Sequence, residues 1–204
     1  FPVDILIVVE DPGAANFILD LPKLLGDACI TYKFMAIGSA LEFLRERLLT
    51  VEVLTASMIE SKFLDNKPYR MLLAGTSQNP DSIILELIRE SLKRSIKTIG
   101  FVDMAVDAEL RFKGNTQAPL EFCPDELIVA DTMTRDAFAN LGFKEERIYI
   151  TGHPIVDKSI ERIKKKDRLD VDLLRNKIVN NSSSPRQVWT FAAEHSEGAT
   201  NRCE

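Results

Sequence analysis

Apolar residues in this chain occur in short continuous runs, separated by longer amphipathic stretches. The runs are rich in β-branched side chains, which is typical of strands buried on both faces of a sheet. Each run is followed within two residues by a glycine, an aspartate or a small polar residue. The runs predict strands over residues 3–9, 28–37, 50–54, 69–74, 96–102, 127–130 and 147–151.

The stretches between these runs follow helical spacing. Phe17, Ile18, Leu21, Leu24 and Leu25 predict one helix that starts at the Asp11 turn and ends at Gly26. Further helices are predicted after Ser39, which can act as an N-cap, after Asp81, over residues 132–141 and over residues 156–178. Strands that alternate with helices in this way predict an α/β fold: a Rossmann-like parallel sheet with helices on both faces.

The end of the chain differs in composition from the rest. The run NNSSSP, residues 180–185, predicts a linker that follows a domain over residues 3–179. In the tail, residues 186–204, the segment RQVWTFA reads as one more strand with little chain behind it. A lone strand cannot bury both faces. It therefore either joins the main sheet or begins a second domain.

Composition narrows the function classes. The chain has 26 Lys and Arg against 31 Asp and Glu, a net charge of −5, so nucleic acid is not a predicted partner. Cys29, Cys123 and Cys203 form no CxxC pair, and two histidines give no zinc-ligand spacing, so no metal site or cofactor is predicted. This cysteine usage, with no secretory signal pattern, predicts a reducing cytoplasm. No apolar run reaches the ~18 residues of a membrane-spanning helix.

Candidate chemistry lies at the carboxyl ends of the predicted strands, where open α/β sheets bind ligands. Asp11, Gly13 and Asn16 follow the first strand, in a turn that opens a helix and could hold an anion or a sugar hydroxyl. Thr76 and Ser77 follow another strand and could bind hydroxyls or phosphate. Each could equally serve only as a cap or turn residue. Neither GxGxxG nor a P-loop sequence is present.

Two further strand ends carry groups that can transfer protons. Asp103 could bind hydroxyls or act as a base, or it could form an ion pair with Arg111. His153, between Gly152 and a proline, could hold a phosphate or move a proton, or it could be a turn residue bonded to backbone. Asp131 is predicted to cap the helix that follows it.

The segment PDELIVADTMTRDAFANLGFKEERIYITGHPIVD, residues 124–157, resembles the end of the N-terminal domain of GT-B-fold enzymes. These include nucleotide-sugar glycosyltransferases, non-hydrolysing UDP-N-acetylglucosamine 2-epimerases and CDP-glycerol-type polymer transferases. Their pattern is P-D-x-I-x-V, then a helix, then G-x-x-x-x-R-I-x-V-T-G-N-P. The matching residues are Pro124, Asp125, Ile128, Val129, Gly142, Arg147, Ile148, Thr151, Gly152 and Pro154. His153 stands where the pattern has Asn, and the GTRPE-type turn of the epimerases is absent.

The resemblance implies half of a two-domain GT-B enzyme of surface-polysaccharide or glycan biosynthesis. It implies a nucleotide-sugar and a sugar or lipid-linked acceptor as partners, and it allows peripheral association with a membrane. Asp103 or His153 would be the base, and Asp11, Gly13, Asn16, Thr76 and Ser77 would bind substrate. This chain alone is expected to be inactive without a donor-binding half. The alternatives are a non-catalytic α/β module that binds a small sugar or anion, and a signalling domain of the flavodoxin type.

Overall fold

The computed structural model describes residues 3–47, 49–60 and 69–165. The chain divides into two units, Phe1–Lys158 and Ser159–Glu204, and every strand described here lies in the first. The strands are β1 (Val3–Val9), β2 (Tyr32–Ala36), β3 (Glu52–Val53), β4 (Tyr69–Gly75), β5 (Lys97–Val102), β6 (Glu126–Val129) and β7 (Ile148–Ile150). Each corresponds to one of the apolar runs in the sequence.

These strands form one sheet in the order β3-β2-β1-β4-β5-β6-β7, and each neighbouring pair is parallel. Ile7 of β1 is paired with Phe34 on one side and with Leu73 on the other. The chain thus winds outward from β1 in one direction and then, from β4 onward, in the other. Such a reversal leaves a crevice at the carboxyl ends of β1 and β4, because the connections leave on opposite faces there.

The helices are α1 (Pro12–Phe17), α2 (Leu21–Asp27), α3 (Gly38–Arg45), α4 (Ala56–Glu60), α5 (Ile83–Lys93), α6 (Thr132–Asn140) and α7 (Pro154–Lys165). Single turns of 3₁₀-helix occur at Ala108–Leu110 and Glu145–Arg147. Ser82 caps α5 and Asp131 caps α6, each by accepting a hydrogen bond from a backbone N–H of the first turn. The predicted capping role of Asp131 is confirmed.

Alternate residues of the central strands enter two separate cores. Leu6 and Val8 of β1 pack into the core that also holds α5 and Phe138 of α6. Ile7 and Val9 pack into the other core, beneath α1, α2 and α3. Both cores are needed because successive side chains of a strand point to opposite faces of a sheet. The predicted fold class, a Rossmann-like parallel sheet with helices on both faces, is confirmed.

The sequence prediction was wrong at two helix starts. The helix expected from the Asp11 turn to Gly26 is two helices, because Pro22 has no N–H to donate to Ile18; Leu21 N donates to Ile18 O instead, at 2.9 Å. Ser39 does not cap α3. The N-cap of α3 is Ile37, whose side chain makes no capping hydrogen bond.

The last predicted elements extend past the described residues. The helix predicted over residues 156–178 begins at Pro154 and is described as far as Lys165. The linker at 180–185, the strand at 186–192 and the domain boundary after residue 179 lie outside the described residues and stay predictions.

Candidate functional site

Arg111 joins three of the predicted strand ends. Its Nη1 lies 3.4 Å from Oδ2 of Asp11, after β1, and donates to the carbonyl oxygen of Thr76, after β4, at 3.3 Å. Its Nη2 lies 3.7 Å from Oδ1 of Asp103, after β5. The site therefore lies at the reversal point of the sheet, and a buried guanidinium holds it together.

Arg111 lies in the loop after β5, and the residue that follows it, Phe112, fixes its position. Phe112 is fully buried in the core on the α5 side and packs against Phe138 at 5.8 Å between ring centroids. The preceding turn, Ala108–Leu110, starts from Asp107 in the left-handed region at φ 53°. The sequence suggested the pair between Arg111 and Asp103. It did not reveal the contacts of Arg111 with Asp11 and Thr76, which depend on a loop without periodicity.

Both oxygens of Asp11 have partners. Oδ1 accepts a hydrogen bond from Ala14 N at 2.6 Å, which caps α1, and Oδ2 faces Arg111. Burial raises the pKa of the Asp11 carboxyl, more than the Ala14 N–H and the Arg111 charge lower it. The Asp11 side chain thus caps one N–H of the first turn of α1.

Asp103 has acceptor capacity that the described residues leave unused. Its side chain is 11% exposed, and it accepts no hydrogen bond from the part of the chain that the structure describes. Oδ2 lies against Gly13, where a side chain could not fit: a Cβ built on Gly13 would overlap that oxygen. Gly13 is therefore needed for close approach between α1 and the Asp103 carboxylate.

Ser77 faces a buried carboxylate that the sequence prediction did not include. The Ser77 hydroxyl donates to Oε2 of Glu10 at 2.8 Å, and Asn79 Nδ2 donates to Oε1 at 2.8 Å. Glu10 is 9% exposed, and through these two bonds it fixes the loop after β4. Its signal in the sequence was its position at the end of β1, directly before Asp11.

Two buried polar groups at this site are unsatisfied within the described chain. Neither Nε of Arg111 nor the hydroxyl of Thr76 has a hydrogen-bonding partner among the residues described. Folded proteins satisfy most such groups, so an exception is informative where it occurs. Both exceptions lie at the point where the strand order reverses.

His153 and Asn16 make different contacts from these residues. The His153 ring packs edge-on against Phe17, with centroids 5.0 Å apart, and its Nδ1 accepts from Ile155 N at 3.2 Å, as an N-cap of α7 would. Asn16 is half-buried in α1, and its backbone carbonyl oxygen accepts a hydrogen bond from the N–H of Ile18. The described contacts bring neither residue to Arg111.

A cleft of about 420 Å³ has a separate lining, which includes none of Asp11, Thr76, Asp103 and Arg111. Phe17 of α1 and residues 18–24 form one wall, side chains of β4, β5 and β6 form the floor, and the segment after β7 closes the end. The floor and wall are apolar, from Phe17, Leu21, Leu24, Leu73, Phe101 and Ile128. The sequence prediction did not include this cleft, because its lining comes from five separate segments.

The described residues contain neither a metal-binding cluster nor a helix that could span a membrane. Among residues 3–47, 49–60 and 69–165, no group of three or more His, Cys, Asp or Glu side chains could hold a metal ion. Within the same ranges, none of the helices combines the length and the apolarity that crossing a membrane requires.

Sequence comparison identifies no relative: no protein-family model and no curated protein matches the chain. Solved structures do match. A UDP-GlcNAc 2-epimerase from Methanocaldococcus jannaschii superimposes with a TM-score of 0.58 at 13% identity, over 82% of this chain and 51% of its own. The Neisseria meningitidis epimerase bound to UDP-GlcNAc has a TM-score of 0.57 at 11% identity, and the match covers 87% of this chain and 53% of the epimerase. The Rickettsia bellii epimerase has a TM-score of 0.55 at 13% identity, and the match covers 83% of this chain and 51% of the epimerase.

This chain spans about half the length of each of these structures. At such low identity the similarity establishes the fold alone. The seven-stranded parallel sheet is the Rossmann-like sheet of the matched half, as the resemblance of residues 124–157 predicted. The chain therefore has the fold of the N-terminal half of a GT-B-like architecture.

Proposed function

We propose that this chain is the acceptor-side half of a GT-B-type glycosyltransferase that uses nucleotide-sugar donors in surface-polysaccharide or glycan biosynthesis. Asp103 carries the proposal. It is a largely buried carboxylate at the reversal point of the sheet, with one oxygen directed at Arg111 and with acceptor capacity left for a substrate hydroxyl. Proton removal from an acceptor hydroxyl needs such a positioned base.

Charge favours a hydroxyl over a phosphate at this position. Asp11 and Asp103 place two carboxylates beside one guanidinium, that of Arg111, and Glu10 adds a third negative charge next to Asp11. A phosphate would meet net negative charge, whereas sugar hydroxyls can donate to carboxylate oxygens. The diphosphate of the donor would then be bound by a second half. We accordingly assign Asp11, Gly13 and Thr76 to the side of the site that binds the acceptor.

The remaining predicted residues take supporting roles in this proposal. Ser77 holds the β4 loop through Glu10, and Asn16 lies in α1, three residues after Gly13. His153 was the second candidate for the base; its contacts with Phe17 and Ile155 make Asp103 the better choice. The sugar or lipid-linked acceptor and a peripheral association with the membrane are part of the same proposal.

The test is transfer by the polypeptide of the complete reading frame, assayed with a panel of nucleotide-sugar donors. Asp103→Asn should lower turnover by about 10²- to 10⁴-fold, the usual contribution of a general base. Asp131→Asn is the matched control, because Asp131 is an exposed strand-end residue that caps α6 and Asn is an equally good cap. Unchanged turnover in Asp103→Asn would rule out the assignment.

The alternative is a non-catalytic module that binds a small sugar. The ion pair between Asp103 and Arg111 favours it, because such a pair also serves a purely structural purpose. Small sugars are titrated into the same polypeptide. Saturable binding of a sugar, with no turnover from any nucleotide-sugar donor, would support this second function. Sugar binding that disappears in Asp103→Asn would still place the ligand at the same residues.

A further inference from the structure

A second cavity lies at the opposite edge of the sheet from Asp103. Its volume is about 230 Å³, and its lining includes Asp125, directly before β6, and Arg147, directly before β7. Asp103 follows the carboxyl end of β5, which is parallel to its neighbour β6, as β6 is to β7. The cavity therefore lies at the amino ends of the strands, and it shares no lining residue with the apolar cleft.

Two cations of this cavity have no carboxylate partner within the described chain. Lys144 and Arg147 line it and are exposed, and neither forms an ion pair with any residue that the structure describes. The guanidinium of Arg147 makes one long hydrogen bond, from Nη1 to the backbone carbonyl oxygen of Asp125 at 3.5 Å. Most of its five N–H donors are thus available to a ligand.

The one carboxylate in the lining is already bound by the protein. Oδ2 of Asp125 accepts hydrogen bonds from the backbone N–H of Thr98 at 2.9 Å and from the Thr98 hydroxyl at 3.0 Å. The lining has two positive charges against this one negative charge, a net charge of +1. A monoanion matches that charge, whereas a phosphate dianion exceeds it and would also be repelled by Asp125.

The rest of the lining is mostly apolar. Leu120, Pro124 and Phe143 contribute to it, together with the half-buried thiol of Cys123. Small-molecule sites typically combine a mostly apolar lining with a few polar or charged groups. The volume lies below the ~300 Å³ at which such sites usually begin, so the ligand must be compact.

We propose that this cavity binds a compact organic monocarboxylate. Its apolar group packs against Leu120, Pro124 and Phe143, and its carboxylate lies at Lys144 and Arg147. A guanidinium can donate two parallel hydrogen bonds to one carboxylate, and the lysine adds a second positive charge. The inference goes beyond the proposed function and does not depend on it, because no residue of the Asp103 site lines this cavity.

Alkylation of Cys123 measures whether the cavity is occupied. The 204-residue chain is treated with uncharged iodoacetamide at increasing benzoate concentrations, and peptide mass spectrometry follows each cysteine separately. At a benzoate concentration about ten times its Kd, only about one chain in ten is free, so Cys123 should react about tenfold more slowly. The exposed Cys29 should react at an unchanged rate. Burial raises the pKa of the Cys123 thiol and slows its reaction, so rates with and without benzoate are compared for each variant.

Two comparisons test the role of charge. Benzamide has the same ring without the negative charge, and it should protect Cys123 at least about tenfold more weakly, because charge-assisted hydrogen bonds are the stronger ones. Lys144→Gln combined with Arg147→Gln should weaken protection by benzoate at least about tenfold. Lys23→Gln combined with Arg45→Gln is the matched control, since it removes the same two charges from exposed residues that do not line the cavity.

Selective protection of Cys123 by benzoate, lost in the cavity variant and retained in the matched control, supports the inference. Failure of benzoate to slow the reaction of Cys123 would overturn it, as would equal slowing at Cys29 and Cys123. Equal protection by benzamide, or protection that survives the loss of both Lys144 and Arg147, would do the same. The benzamide comparison uses the natural sequence, so it is decisive even if the double variant does not fold, which circular dichroism determines.

Discussion

Gly13 and Asp103 are in direct contact across the carboxyl end of the sheet: the Gly13 backbone lies against Oδ2 of the Asp103 carboxylate, with no room for a Cβ between them. Ninety residues of chain separate the two, and parallel pairing of β1, β4 and β5 brings them together. Because Asp103 is the proposed base, any side chain at position 13 displaces the group on which the function depends.

Gly13→Ala should destabilise the fold by about 1–3 kcal/mol, the usual cost of overpacking, and should displace Asp103. Gly26→Ala is the control, since Gly26 lies within α2 and a Cβ there meets nothing within 4 Å. Alanine at that position should stabilise the helix by roughly 0.5–1 kcal/mol. Urea unfolding measures both changes, and equal effects of the two substitutions would contradict the close approach.

Arg111→Met should be among the most destabilising substitutions, because it leaves the carboxylates of Asp11 and Asp103 without their cation. Loss of one partner of a buried ion pair costs about 3–5 kcal/mol, and we expect the lower end because the Asp11 side chain is 25% exposed. Arg135→Met removes a surface ion pair and should cost about 1 kcal/mol or less. A similar free energy of unfolding for the two variants would show that Arg111 does not hold the site.

Asp11→Asn should remove one falling contribution to the pH dependence of stability. The raised pKa of Asp11 means that the folded state binds this proton more tightly than the unfolded state does. The free energy of unfolding therefore falls as pH rises from the ordinary value of 3.8 through the raised one, and Asn, which still caps α1, removes that fall. Chemical unfolding at a series of pH values gives the slope.

Asp4→Asn is the control of opposite sign for that experiment. Hydrogen bonds from Thr31 lower the pKa of the Asp4 carboxyl, so Asp4 contributes stability above pH 3.8 that disappears as pH falls through its lowered pKa. The variant should lose stability at neutral pH and approach the natural sequence in acid. Parallel slopes for Asp11→Asn and Asp4→Asn would refute the assignment of the raised pKa.

His153→Asn should preserve stability, whereas His153→Ala should lose about 1 kcal/mol. Nδ1 of His153 accepts the Ile155 N–H at the start of α7, and Asn is among the best residues for that role. Differential scanning calorimetry distinguishes the two variants, and equal losses would indicate that the ring contact with Phe17 matters more than the cap.

Periodicity in the sequence was sufficient for the strands and the fold class. The alternation of apolar runs and amphipathic stretches identified each strand of the sheet. In the central strands β1 and β4 the runs are apolar because both faces are buried, whereas both residues of the edge strand β3 are exposed. It did not predict the break between α1 and α2, because the apolar spacing continues through it and only Pro22 interrupts the hydrogen bonds.

The sequence by itself determined that Asp11, Thr76 and Asp103 lie at strand ends, because local apolar runs fix where each strand stops. Only the tertiary structure decided that Arg111 joins them, that Glu10 fixes Ser77, and that the cleft opens beside Phe17. The physical reason is the range of the interactions involved. Strand ends follow from neighbouring residues, whereas an ion pair or a cleft depends on strand order and on a loop whose path no periodic pattern records.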